Sequence, residues 1–251
     1  MVIFCRAGRR VFVKKDLPIV LTGTILANTS DNVLSYEERK ADYLRAIKYY
    51  VQYAPVIFVE NSGYNFDDSD GFYEIDNLKI IQFPKSGYYE RGKGFQEFEM
   101  MDKFVESIKG EYDAFIKVTG RYIISDFEKI YTDVLTADRD FIIDTSYKDK
   151  RAYTYMFYTT TIFYEKFIMG IYKKCDDRKP SKSIEDIMYS LLQGIDTKQY
   201  RFFLNAYNIL GKSGSNGKPL VYRPCWKLWR RTLISRKFRY YILGKQELRG
   251  V

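Results

Sequence analysis

The chain has 251 residues, 46% of them apolar and 18% aromatic, enough to bury a sizeable core in one large domain or one domain with an appendage. Its formal charge is +9 and it contains no histidine, which excludes His-containing metal sites, Ser/His and Cys/His nucleophile pairs and a histidine base. Acid–base chemistry therefore falls to Asp, Glu, Lys, Tyr or Cys, and any metal site to carboxylates.

The opening MVIFCRAGRRVFVKKD is basic, but it lacks the apolar core and small-residue cleavage site of a signal peptide. LPIVLTGTI (17–25) predicts a buried strand closed by a Thr-Gly-Thr turn. Residues 37–54 carry Tyr43, Leu44, Ile47, Tyr50, Val51 and Ala54 on one face, the pattern of an amphipathic helix. VIFVENSG (56–63) is a second buried strand, YNFDDSDGF a polar loop and LKIIQF a third strand. Residues 95–108 are helical, YDAFIKV is the fourth strand and FEKIYTDVL a further helix. DFIIDTS and the aromatic RAYTYMFYTTTIFYEKFI add strand and then helix. SIEDIMYSLLQGI opens with a serine cap and acids in its first turn.

Strand and helix alternating in this way predict an α/β domain over 1–210, with a mostly parallel sheet covered by helices on both faces. GKSGSNGKP places a flexible linker at 211–222. The remaining segment, 223–251, holds nine Lys or Arg against one acid, Glu247, and so carries nearly all the net charge. Within it Trp226, Trp229, Leu233, Ile234, Phe238 and Tyr241 recur at helical spacing with cations between them. Such a helix either lies on an anionic membrane surface or docks on its own domain with a solvated basic face. The rest of the chain is not basic, so nucleic acid is not an expected partner. No run of about 18 apolar residues exists to span a bilayer. Cys5, Cys175 and Cys225 are odd in number and far apart, which points to a reduced, cytoplasmic compartment.

Ligands of parallel sheets bind outside the carboxyl ends of the strands, so TGT (Thr22, Gly23, Thr24), ENSG (Glu60, Asn61) and TGRY (Thr119, Arg121) are expected to line one cleft. RGKG (Gly92, Lys93, Gly94) allows close backbone approach and supplies positive charge, as an anion site requires, although it does not match the P-loop spacing. Glu97 and Glu99 follow on a helix and point to different faces, so at most one of them reaches the cleft.

The series LTGTI, helix, VIFVENSG, GKGFQEFEMM, DAFIKVTGRY resembles sugar-transferase-like proteins of bacterial surface-polysaccharide clusters, and more broadly the nucleotide-sugar glycosyltransferases of the GT-A fold. The resemblance spans roughly residues 17–190. It implies a nucleoside-diphosphate-sugar donor and a surface-glycan acceptor carried on a lipid; the basic aromatic tail fits that acceptor, since it would hold the active site at the inner face of the membrane. It also implies an acid after the second strand, here Glu60, touching base or ribose. The family's fourth strand usually ends in Asp-X-Asp, which holds a divalent cation on the donor diphosphate; this chain reads KVTGR. Lys117 or Arg121 is therefore expected to neutralise the diphosphate without a metal cofactor. If the strand is misaligned, Asp67, Asp68, Asp70 or Asp144 is left to hold a metal. SIEDIMY resembles the Glu-Asp helix start that supplies the family's base, which makes Asp186 the first candidate and Glu185 the second. The aromatics from Tyr153 to Tyr164 are expected either to stack on acceptor sugar rings or to fill the core. Two competing readings remain: a magnesium-dependent nucleotidyl or phosphosugar transferase, and a non-catalytic nucleotide-sugar or glycan-binding partner in polysaccharide assembly.

Overall fold

A computed structural model describes residues 3–6, 9–12, 17–27, 34–146, 148–212 and 217–220. The basic aromatic segment 223–251 lies outside the described residues.

A short hairpin, β1 (Ile3–Arg6) with β2 (Arg9–Phe12), precedes the main domain. The expected strands then appear in order: β3 (Ile19–Gly23), β4 (Val56–Glu60), β5 (Leu78–Gln82) and β6 (Ala114–Thr119). After the short β7 (Ile123–Ile124) come β8 (Phe141–Ser146), β9 (Arg151–Thr160), β10 (Tyr200–Arg201) and β11 (Ile209–Leu210). Seven of them form one sheet in the order β10-β8-β9-β6-β3-β4-β5. Every neighbouring pair is parallel except those involving β9, which runs against both β6 and β8. The mostly parallel α/β sheet expected from the sequence is thus present. β11 pairs with β7 in a separate two-stranded ladder.

Helices cover both faces. On one face, α1 (Tyr36–Tyr50) and α3 (Phe127–Leu135) pack on Ile19, Leu21, Phe58 and Ile116. On the other, α2 (Lys93–Ser107) and α5 (Ile184–Leu192) pack on Val20, Ile57, Val59 and Phe157. β3 and β4 are buried at every position, because adjacent side chains on a doubly covered strand face opposite cores. Burying each such aliphatic contributes about 1.5–3 kcal/mol. Ser35 opens α1 through a reciprocal capping box with Glu38. The aromatic stretch after β9 turns into a short helix α4 (Thr161–Phe163) and a π-turn, Tyr164–Ile168. Lys212 and Pro219 form a β-bridge, and the Leu220 amide donates to the Gly211 carbonyl at 2.9 Å, so the two ends of the Gly/Ser-rich stretch meet. Among the described residues no helix is long and apolar enough to cross a membrane.

α2 is tied to the π-turn by a buried carboxylate, Asp102, which accepts from the Tyr164 hydroxyl at 2.9 Å and the Gly170 amide at 2.7 Å. Burial pushes its pKa up to about 6, against the pull of those two hydrogen bonds. The native state then holds this proton more tightly than the unfolded chain. Its stabilising effect is full below the ordinary carboxylate range and is lost as pH rises through about 6. Asp102→Asn is therefore expected to gain stability over the wild type as pH rises from 4 to 7, by up to about 3 kcal/mol. Urea midpoints of both proteins across that range test this; a pH-independent difference would refute it.

Candidate functional site

The carboxyl ends of β3 and β6, the central parallel pair, open into a cleft. Thr22, Gly23 and Thr24 form its floor, Thr119 and Arg121 one wall, Lys93, Gln96 and Glu97 of α2 another, and Arg39 and Tyr43 of α1 a third. Tyr89 stands at the cleft and is 60% exposed. The two strand ends approach closely because Gly120 has no side chain: a Cβ there would lie 2.6 Å from the Thr22 carbonyl oxygen. Tyr43 packs beneath both Gly23 and Gly120, and its hydroxyl accepts from the Thr24 amide at 2.9 Å.

At the base of the cleft Glu97 Oε1 gathers three donors. Thr22 Oγ1 reaches it at 2.5 Å, Lys117 Nζ at 2.7 Å and Thr119 Oγ1 at 3.2 Å. Lys117 is fully buried. Its other two N–H groups go to Thr119 Oγ1 at 3.0 Å and the Thr154 carbonyl at 2.8 Å, which uses every donor an ammonium has. That corrects one of the two sequence expectations for the diphosphate: Lys117 serves Glu97 and has nothing left for a ligand.

Arg121 stands differently. It is 6% exposed and lines the cleft, yet its Nη1 has no hydrogen-bond partner and no carboxylate pairs with it among the described residues. Beside it Arg39 donates through Nε and Nη2 to the Thr24 carbonyl at 3.1 and 2.8 Å. Burial, with repulsion from Arg121 adding to it, lowers the Arg39 pKa from its ordinary value. Two adjacent guanidiniums, largely removed from water and ion-paired with no carboxylate among the described residues, create a demand for an anion. Lys93 adds a third cation to the lining.

The other expected residues take supporting places. Glu60 is wholly buried and binds the Ile25 amide at 3.1 Å, the Ser62 amide at 2.8 Å and the Ser62 hydroxyl, which joins the loops after β3 and β4. It does not line the cleft. Asn61 accepts from Thr24 Oγ1 at 2.7 Å and so steadies the floor. Gly92 sits at φ +101° as the N-cap of α2, where a Cβ would run into Asp177, and a Cβ on Gly94 would press on Ile184. Of the GKG motif only Lys93 faces the cleft; its glycines let the segment around Asp177 close over the helix start.

Asp186 is occupied: it caps its own helix with Ser183 and pairs with Arg151 Nε at 3.1 Å. Burial works to raise its pKa, but the Ser183 and Arg151 hydrogen bonds outweigh this and hold it below the usual value. Glu185 meets Thr154 Oγ1 at 3.4 Å, on the residue whose carbonyl holds Lys117. Tyr153 and Tyr155 stack at 5.5 Å, both half-buried. Asp70 is ion-paired with Lys40 at 2.6 Å, and Asp67 caps the turn at Asp68–Asp70.

Sequence reasoning missed Arg39, Tyr43, Tyr89 and Gln96. Arg39 was findable: it lies four residues before Tyr43 and eight before Ile47, on the inward stripe of α1, where a cation needs a reason to be.

No protein-family model matches the chain, and no curated protein is similar enough to match it. Among solved structures it is similar to an active-site mutant of LgtC, at TM-score 0.46 and 12% identity, covering 74% of this chain and 72% of that one. It is similar to 4-diphosphocytidyl-2C-methyl-D-erythritol synthase at TM-score 0.45 and 9% identity, covering 88% and 99%. A third is the glycosyltransferase GlyE of Streptococcus pneumoniae TIGR4, at 0.43 and 10%; there 74% of this chain matches 45% of GlyE.

Proposed function

We propose that the chain is a glycosyltransferase that takes a nucleoside-diphosphate sugar in this cleft and passes the sugar to a glycan hydroxyl. The observation that carries the reading is the Arg121 guanidinium, buried beside Arg39 with an unpartnered Nη1, at the carboxyl ends of two parallel strands. A diphosphate fits that demand, since it presents several oxygens to two planar donor forks. In transfer, the acceptor oxygen bonds to the anomeric carbon while the bond from that carbon to the diphosphate breaks. The electron pair leaves on the diphosphate, where Arg121, Arg39 and Lys93 offset the new charge. The acceptor's proton goes to a carboxylate. Of the two on α5, Glu185 is preferred, because Asp186 is committed to its cap and to Arg151. The Tyr153–Tyr155 stack is a candidate surface for acceptor rings. A lipid-linked surface glycan as acceptor, with 223–251 holding the enzyme at an anionic membrane, is the finer form of the proposal.

A melting screen against uridine, guanosine, cytidine and adenosine diphosphates and their sugars tests it. A donor present at 100 times its Kd is expected to stabilise the fold by about 2.7 kcal/mol. Sugar transfer should then release the nucleoside diphosphate, and should continue in EDTA. Failure of every nucleotide to shift the melt refutes the reading. Pyrophosphate release from a triphosphate would assign nucleotidyl transfer instead, and binding without turnover would leave a binding module.

A further inference from the structure

Among the described residues lining the cleft, Glu97 is the one carboxylate, and it shares that space with Lys93 of its own helix and with Arg39 and Arg121. A phosphate drawn in by those cations would be repelled by Glu97. What suits Glu97 is an uncharged O–H donor attached to the anion at a fixed distance. The carboxylate is also held in place. Oε1 takes Thr22, Thr119 and Lys117, so the group cannot turn, and among the described residues no donor reaches Oε2. The side chain is 23% exposed, so this second oxygen retains acceptor capacity at a wall of the cleft.

We infer that Glu97 is the specificity-determining residue of the donor site: its Oε2 accepts from a hydroxyl of the nucleotide-linked ligand, and Lys117, Thr22 and Thr119 are the positioning residues that aim it. This rests on the proposed donor site and adds the part of the ligand that is read. The cleft then selects a bipartite molecule, anionic at the arginines and hydroxyl-bearing at Glu97, and disfavours inorganic phosphate or pyrophosphate alone. The hydroxyl belongs either to the ribose or to the transferred sugar, and the two sources separate by experiment.

Titration calorimetry would compare wild type and Glu97→Gln with three ligands of whichever base binds best: the diphosphate, its 2′,3′-dideoxy form and the diphosphate sugar. A ribose contact weakens the diphosphate about tenfold in the variant and leaves the dideoxy form within twofold. A contact to the transferred sugar leaves both diphosphates unchanged and weakens the diphosphate sugar about tenfold. The double variant Glu97→Leu with Lys117→Met, which replaces the whole ion pair by apolar side chains, should keep the fold and reproduce the same selective loss. Equal weakening of all three ligands, no weakening of any, or lost turnover with unchanged affinities overturns the inference. Wild type binding none of the nucleotides refutes the donor site itself, and this assignment falls with it; wild type binding them with Glu97→Gln indifferent refutes this assignment alone.

Discussion

Arg121→Met is expected to lower affinity for the diphosphate by about 10- to 100-fold, and transfer by about 100-fold or more, while the ligand-free protein melts no lower than wild type. The two halves of that expectation come from one fact. A guanidinium at 6% exposure with an orphaned Nη1 carries a desolvation cost that no carboxylate among the described residues offsets. Methionine fills much the same volume without that cost, so the empty protein loses little or gains. The ligand loses a charge-assisted fork whose strength depends on the water-poor wall around it. Arg121→Lys should recover only part of the binding, because a point charge cannot reproduce two parallel hydrogen bonds. Melting curves with and without diphosphate separate the terms. A large fall in stability without ligand would instead make Arg121 a structural residue.

The layout of the domain was legible because local and global signals agree in it. FEKIYTDVL is α3 to the residue, and the doubly buried β3 and β4 advertise themselves as continuous apolar runs. The reversal of β9 was not legible. An aromatic, β-branched strand reads the same in either direction, and its orientation is set by the connection from β8, a turn too short for a parallel crossover. At the site, motif reading located the floor and Arg121 but could not say which polar groups were already paired. Lys117 and Arg121 are four residues apart and chemically alike in sequence, yet one spends all its donors on Glu97 and Thr119 and the backbone while the other has an atom to spare. The same holds for Asp186, whose serine-led helix start is a good capping signal and therefore weak evidence for a base. Pairing is a three-dimensional property; the sequence names the groups and only the fold decides their partners.

Lys117→Ala should be the most destabilising of these single changes, at about 3–5 kcal/mol. The ammonium is fully buried between the Phe98 and Phe157 rings, 6.0 and 5.8 Å from their centres, and its removal has three consequences at once. Glu97 keeps a negative charge with only threonine hydroxyls against it, the Thr154 carbonyl loses its donor, and a cavity opens between two aromatics. Lys117→Met fills the cavity and so isolates the electrostatic part. Adding Glu97→Leu to Lys117→Met removes the unmatched charge as well and should restore much of the loss. The double variant is then more stable than the sum of the singles implies, a coupling of about 1–3 kcal/mol in a double-mutant cycle. If the cycle is additive, Lys117 and Glu97 do not act as a pair. The distinction bears on ligand recognition, because a lysine free of Glu97 would again be available to the diphosphate, whereas a coupled pair leaves Arg121 and Arg39 to bind it.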